Sequence, residues 1–448
     1  MKIKYILISV ILLSCTLYAQ VSLNGYVKTD NRVRIQQNGK LTWNENTLGL
    51  KFEGSPSSNI HFYSFVRLRG FGFSETMQLS GLQARDKATV QPWGIEFREA
   101  YMDIYGFLTD DLDIRIGRQR IVWGTADKLN PTDNLNPDDL EDIFDFGRHL
   151  GSNSLMATYY LNDFTFSGVY IPVFTPATLP FGDWAVAFAP PVELPPGTQL
   201  ASTQEHINLP ENKISETSSF GLKASTILLD YDVSLSYYYG RDHLPIFTSV
   251  QITPLDTLGN LDLESELSFP RMQIIGADLA GSIGSVGIWA EGALFLPKKV
   301  YNFVTITDPE YGTITTPEII LDDNPYFMFV IGGDYTFTNG WYVNAQFLHG
   351  FIHERGARNL NDYIVMRFEK NFMNNELKIV PLGIALVVTD WSDISNNYGL
   401  AGGPEIDYYP VDALEIAIGA YLLYGKGNNI FSQVKDFDEL YLKVRYDF

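Results

Sequence analysis

The chain of 448 residues contains one cysteine, Cys15, and it lies within the first 20 positions. No intramolecular disulfide can brace the rest of the chain, whatever its redox compartment. Long apolar runs are also missing. Residues 5–13 form the only candidate, and they fall well short of the roughly 20 residues a helix needs to cross a bilayer. Positive charge is scarce, with 32 Lys and Arg against 53 Asp and Glu and a formal charge of −21. That balance argues against a nucleic-acid partner. Six histidines are scattered along the chain. His349 and His353 stand four apart with Glu354 adjacent, which is not the His-Glu-x-x-His order of zinc hydrolases. No Gly-x-Ser-x-Gly elbow and no phosphate-binding glycine loop occurs. The expectation is therefore no catalytic residue, no metal and no cofactor.

The first residues have the order of an export signal. Lys2 and Lys4 precede the apolar run, and small residues lead to Ala19. Cleavage after Ala19 removes two lysines and leaves a mature charge of −23. Leu12-Leu13-Ser14-Cys15 offers a rival lipoprotein signal with Cys15 acylated, although an integral barrel needs no lipid anchor. Residues 1–19 thus read as a signal peptide and 20–448 as one domain.

What the chain has in abundance is period-two alternation. Leu440, Leu442, Val444, Tyr446 and Phe448 fall on one face, against Tyr441, Lys443, Arg445 and Asp447 on the other. Val233, Leu235, Tyr237 and Tyr239 alternate in the same way with Asp232, Ser234, Ser236 and Tyr238. Segments of about 10 alternating residues are the mark of transmembrane strands, with one face to lipid and one to a wet lumen. Aromatic residues make up 14% of the chain, enough for the girdles that such barrels place at both membrane interfaces.

The connections alternate too. Tight-turn residues occur at 55–59, 109–111, 161–163, 229–230, 283–285, 338–340, 373–376 and 411–412. Longer connections lie near 73–93, 125–152, 175–216, 244–268 and 298–325. This rhythm predicts an all-β fold. It is a closed antiparallel transmembrane β-barrel of about 18 strands, or 16 if a loop hairpin has been counted as wall, with short periplasmic turns and long extracellular loops. Closure satisfies every strand edge in lipid without helices. A secreted β-sandwich is the rival, but it has no reason to keep short and long connections in alternation.

Two segments carry a resemblance. The alternation ending at Phe448 is similar to the signal by which outer-membrane barrels are recognised for assembly. Residues 98–104 (Arg98 to Ile104), 114–124 (Ile114 to Gly124) and 130–133 (Asn130-Pro131-Thr132-Asp133) resemble the family called domain of unknown function 1302. More distantly they are similar to porins and alginate-export barrels. The motif spans about 40 residues, and the resemblance implies an outer-membrane channel without naming a solute.

The alternation also assigns a charged inner wall. Glu99, Tyr101 and Asp103 face inward if Ala100, Met102 and Ile104 meet lipid. Arg32, Arg34, Arg67, Arg69 and Arg115 face inward on the same logic. A bulge near Gly117 would also turn Arg118 and Arg120 inward. A charge on the lipid face costs about 2–4 kcal/mol at midplane, which favours these assignments. The wall reads either as an arginine ladder paired with Glu99 and Asp103 or as a basic lane for anions.

The following connection repeats Leu-Asn-Pro and is acidic at Asp127, Asp133, Asp138, Asp139, Glu141, Asp142 and Asp145. Asp138 or Asp139 is placed to start a short helix over 140–144. Folded inward, the loop would oppose Arg67, Arg69, Arg115, Arg118 and Arg120 and set a transverse field in a constriction. A calcium site and a solvated loop are the rivals, and the spacing is not that of an EF-hand. The connection from 175 to 216 is rich in proline and carries Phe181, Trp184, Val186 and Phe188, too apolar to face water without purpose.

The function expected is passive passage of small solutes through an outer-membrane, porin-like channel in a Gram-negative-type cell. A non-conducting scaffold or adhesin is the alternative, and an outer-membrane hydrolase a more distant one. Expected partners are outer-membrane lipids, the barrel assembly machinery, a small-molecule solute and, in a homo-oligomer, further copies of the chain.

Overall fold

The computed structural model describes residues 21–36, 38–188, 197–256, 258–308 and 312–448. The expected signal peptide, its cleavage site and Cys15 lie outside the described residues. Eighteen antiparallel strands form one closed barrel. It opens with β1 (Val21–Arg34), β2 (Leu41–Ser57), β3 (Ile60–Phe71), β4 (Trp93–Ile104) and β5 (Leu112–Gln119). Wall strands pair with their neighbours in sequence, and β1 pairs with the last strand, Glu439–Asp447, from Tyr26 opposite Asp447 to Arg34 opposite Glu439. That seam leaves no open edge. No helix among the described residues is long and apolar enough to cross a membrane.

The alternation read from sequence is the alternation of the wall. Leu235, Ile418, Leu440 and Tyr446 are exposed on the outer face, whereas Tyr238 and Tyr441 are buried inside. All eight short turns fall where expected, at one end of the barrel. Leu229 and Asp230 both adopt left-handed φ values (53° and 66°), the conformation a two-residue hairpin turn requires.

The opposite end departs from expectation. The long connections near 199–208, 246–268 and 300–321 are not irregular. They build a second, five-stranded sheet in the order Gly312–Leu321, Val300–Asp308, Ile246–Pro254, Asn260–Ser268, Gln199–Asn208. Two of its pairings are parallel, so strands from three separate connections meet edge to edge. A parallel partner is always distant in sequence, and no local pattern announces it.

Two hydrophobic clusters sit inside the barrel rather than between layers. One joins Ile121, Trp123 and Leu135 of the 120–151 connection to inward residues such as Ile274, Phe295 and Met328. The other joins Ile143 and Trp184 to Leu348, Phe351, Tyr363 and Val387. The lumen therefore has its own apolar core, built from folded-in connections.

The seam ends in a reciprocal pair of backbone hydrogen bonds. Gly25 N–H donates to Phe448 O at 2.8 Å, and Phe448 N–H donates to Gly25 O at 2.9 Å. Deleting Phe448 removes both and leaves Gly25 unpaired at the short-turn end. Heat-modifiable electrophoretic mobility is expected to show a lower unfolding temperature and a lower folded yield. An unchanged midpoint and yield would count against a closing role for this residue.

Candidate functional site: a charge-clamped plug across the lumen

The 120–151 connection crosses the lumen and is fastened at both sides. Two Asn-Pro turns shape it. Asp133 N–H donates to Asn130 O at 3.0 Å, and Leu150 N–H donates to Pro137 O at 2.8 Å. Asp138 forms an isolated bridge with His149 and Asp139 one with Thr178. The helix expected over 140–144 is absent. Of its two candidate caps Asp139 is drawn away to arginines, and the backbone at 138–140 pairs with 148 and 178 instead.

On the arginine side the contacts are direct. Asp142 takes two hydrogen bonds from Arg32, at 2.9 and 2.5 Å, and Arg32 also holds Asp30. The Arg32 guanidinium, 2% exposed, lies 4.6 Å over the Trp43 ring. Arg69 binds Glu45 on β2, Glu96 on β4 and, at 2.9 Å, Glu141 of the plug. Asp139 is shared by Arg98 at 2.9 Å and Arg148 at 3.0 Å. Asp133 pairs with Arg120 at 2.7 Å.

On the far side one carboxylate does the fastening. Glu291, in the strand Val286–Pro297, accepts from the N–H groups of Thr125, Ala126 and Thr132, the Thr132 hydroxyl and the Asn130 amide, all within 3.2 Å.

These contacts correct the expectation of charges opposed across an open gap. The carboxylates touch the guanidiniums, because a dry interior favours contact pairs over separated buried charges. Arg67 pairs with Glu96 on the neighbouring strand at 2.6 Å, and Arg115 with Asp103 at 2.5 Å near the short-turn end. Neither meets the loop. Glu99 takes no arginine side chain and instead accepts the Arg120 N–H at 3.1 Å. Arg118 does turn inward, at Gly117, onto the cavity beside Arg67 and Arg98, and makes no ion pair among the described residues. Asp138 points away from the arginine wall, into a small cavity with His149, Asp242, His243 and Arg355. Among the described residues no group of three or more Asp, Glu, His or Cys side chains is set to hold a metal ion.

Sequence reasoning missed Glu96, Arg98, Arg148 and Glu291. Phe65 and Val66 face Glu99 and Phe97 across a register shift. That bulge turns both Arg98 and Glu99 inward, which strict alternation forbids. Glu291 left a readable signal, as a lone charge at an inward position between Trp289 and Ala293.

The proline-rich connection is a second closure. Its turn of 3₁₀ helix, Gly182–Phe188, seats Trp184 in the inner cluster. Trp184 (5.0 Å) and Phe437 (3.9 Å) flank the wholly buried Arg34. This is the plugging role suggested by its apolar sequence. Residues 189–196 lie outside the described residues.

The charges of the plug are unevenly set. Burial would raise the Asp139 carboxyl, but Arg148 and Arg98 overcome it and hold it at about 2. Burial likewise opposes ionisation of Asp142, and Arg32 holds it far below the usual range. Asp138 has no such partner. Burial pushes it up to about 8, with Asp133 and Asp242 adding repulsion that Arg355 and Arg120 only partly offset.

Two cavities flank the plug. One, of about 630 Å³, lies on the arginine side. The other, of about 80 Å³, lies between the plug and the far wall.

No protein-family model matches the chain, and no curated protein does. Among solved structures the chain is similar to OmpF of Salmonella typhi, in complex with daunomycin (10% identity over 96% of this chain and 98% of that one, TM-score 0.41). It is also similar to OmpT, an outer membrane protein of Vibrio cholerae, folded in vitro (10% identity, 96% and 98%, TM-score 0.44). A form of that protein lacking loop L8 is similar too (9% identity, 96% and 100%, TM-score 0.41).

Two outcomes follow for the plug. Replacing Glu291 with Ala strands five donors, at about 1–3 kcal/mol for each that stays buried and unpaired. Hydrogen exchange over 125–132 is expected to quicken by at least tenfold, with wall strands unchanged; equal rates would remove Glu291 as an anchor. The Asp138 carboxyl sits above its free value, so its protonated form favours the docked plug. Docking is then firmest below about pH 4 and weakens as pH rises through about 8. Once the intrinsic base-catalysed rate is divided out, protection over 127–145 should be lower at pH 9 than at pH 5 in the wild type, and the D138N variant should lose that difference in protection.

Proposed function

We propose that the protein is an outer-membrane channel for passive passage of small solutes, narrowed by the 120–151 plug and the 182–188 segment. The observation that carries this reading is the lumen itself. It holds charged side chains of β3, β4 and β5 around a cavity of about 630 Å³, while the outer face is an apolar belt suited to lipid. The short-turn end, with both termini, faces the periplasm, and the five-stranded sheet faces outward. Outer-membrane lipids and the assembly machinery are its partners, the latter reading the strand that ends at Phe448. The resemblance of residues 98–104, 114–124 and 130–133 to the domain of unknown function 1302, and more distantly to porins and alginate-export barrels, is in keeping with this assignment.

A second reading has a specific observation behind it. Two hydrophobic clusters fill much of the lumen, which suits a non-conducting surface scaffold.

Planar-bilayer recordings separate the two. The channel reading expects discrete conductance steps in wild type. Combined D139N, E141Q and D142N substitutions should raise the step size and move the reversal potential toward anions, because uncompensated arginines then face the lumen. Silence of both proteins would favour the scaffold. Steps of unchanged size and selectivity would show that this loop is no constriction.

A further inference from the structure

The cavity on the arginine side has one charge too many. Arg67, Arg69 and Arg98, which line it, are each held by carboxylates at 2.6–2.9 Å. Its acidic residues, Glu96, Asp139 and Glu141, are all engaged by arginines. Arg118 lines the same cavity, forms no ion pair among the described residues, and has its Nε buried without a hydrogen-bond partner there. The side chain is half-buried, its Nε meets neither water nor a partner, and the carboxylates around it are committed to other arginines, so an incoming anion finds an unpaired guanidinium here.

The position is built. Strict alternation from Ile116, exposed on the lipid face, would return residue 118 to lipid. Gly117 breaks the alternation with φ 130°. A Cβ there would stand 2.4 Å from Ala100 O, so only glycine permits the turn. The Arg118 stem then passes over Gly151, where a Cβ would come within 3.2 Å of Arg118 Cγ.

The rest of the lining is apolar. Phe97, Leu150, Leu179 and Phe181 supply it, with Thr178 the one polar exception, and the Phe181 ring is set by packing 5.2 Å from Trp43. A volume of about 630 Å³ falls within the range of small-molecule pockets. We propose that this cavity binds small organic anions bearing a single carboxylate and an apolar, ring-sized body, with Arg118 taking the carboxylate and Leu179 and Phe181 the body. A cation finds no free carboxylate here, and a bare inorganic anion leaves the apolar half unused. The proposal deepens the channel reading by naming its solute class, yet binding can be measured without conduction.

Calorimetric titration of the purified, detergent-folded protein with benzoate, its neutral isostere benzamide, and acetate provides the test. Benzoate is expected to bind about tenfold more tightly than benzamide, the worth of one charge-assisted pair, and more tightly than acetate. The R118Q variant should bind benzoate and benzamide alike, whereas R118K should retain part of the preference. If R118Q fails to fold, F181D, which alters no wall strand, should abolish benzoate binding. Equal affinity for benzoate and benzamide in wild type, or a benzoate preference that survives R118Q or F181D, overturns the proposal. So does acetate or phosphate binding as tightly as benzoate. Arg118-dependent benzoate binding in a protein that conducts no current would leave the site standing and remove the channel reading; conduction without such binding would do the reverse.

Discussion

Arg32 sets the terms for the interior. A guanidinium with almost no access to water has to be paired where it stands, and its own strand supplies only one of the two carboxylates that hold it, Asp30, which Lys28 shares. The other is Asp142, 110 positions along the chain. That requirement carries the 120–151 connection across the lumen. Once it is there, Glu141 reaches Arg69, Asp139 reaches Arg98 and Arg148, and the apolar residues between them fall against the far wall. Charge fixes where the plug lies, and hydrophobic burial then fills the space beside it. The two effects differ in kind, since burial is indifferent to direction and a bidentate guanidinium–carboxylate pair is not.

The wall obeys a different constraint. In lipid no backbone group can be left unpaired, so the first and last strands must meet in register. Their pairing from Tyr26–Asp447 to Arg34–Glu439 also places the two arginines of β1, Arg32 and Arg34, at the inner seam. The same strand that closes the barrel thus supplies the anchors for both closures of its lumen, Asp142 on Arg32 and Trp184 on Arg34.

How much of this was legible follows from those two constraints. Lipid imposes alternation on every wall residue, so the faces of the 231–241 and 439–447 strands, the turn at 229–230 and a count of about 18 could be read. The inward set of Arg67, Arg69 and Arg115 followed from the same rule. Pairing across the lumen leaves no such trace. Nothing local to Asp142 names Arg32 as its partner, and nothing near Thr132 names Glu291, 159 positions away. The misread helix over 140–144 shows the same limit, for the residues that suit a helix cap are also those a distant arginine can claim. Irregular backbone was half visible, since glycine marked the turn at 117 while no residue type marked the bulge at 98–99.

The five-stranded sheet ties together connections that in most barrels vary independently. Its parallel pairings join Gln199–Asn208 to Asn260–Ser268 and Ile246–Pro254 to Val300–Asp308, so each strand keeps register with chain from another hairpin. An insertion or deletion of one residue in any of the three would flip side chains across a shared sheet and disturb its neighbours. Substitution on the solvent-facing side, at Gln204, Glu264 or Thr305, carries no such penalty. Drift at this end of the molecule should therefore run through residue identity at fixed length, giving a surface that changes its chemistry while its outline persists.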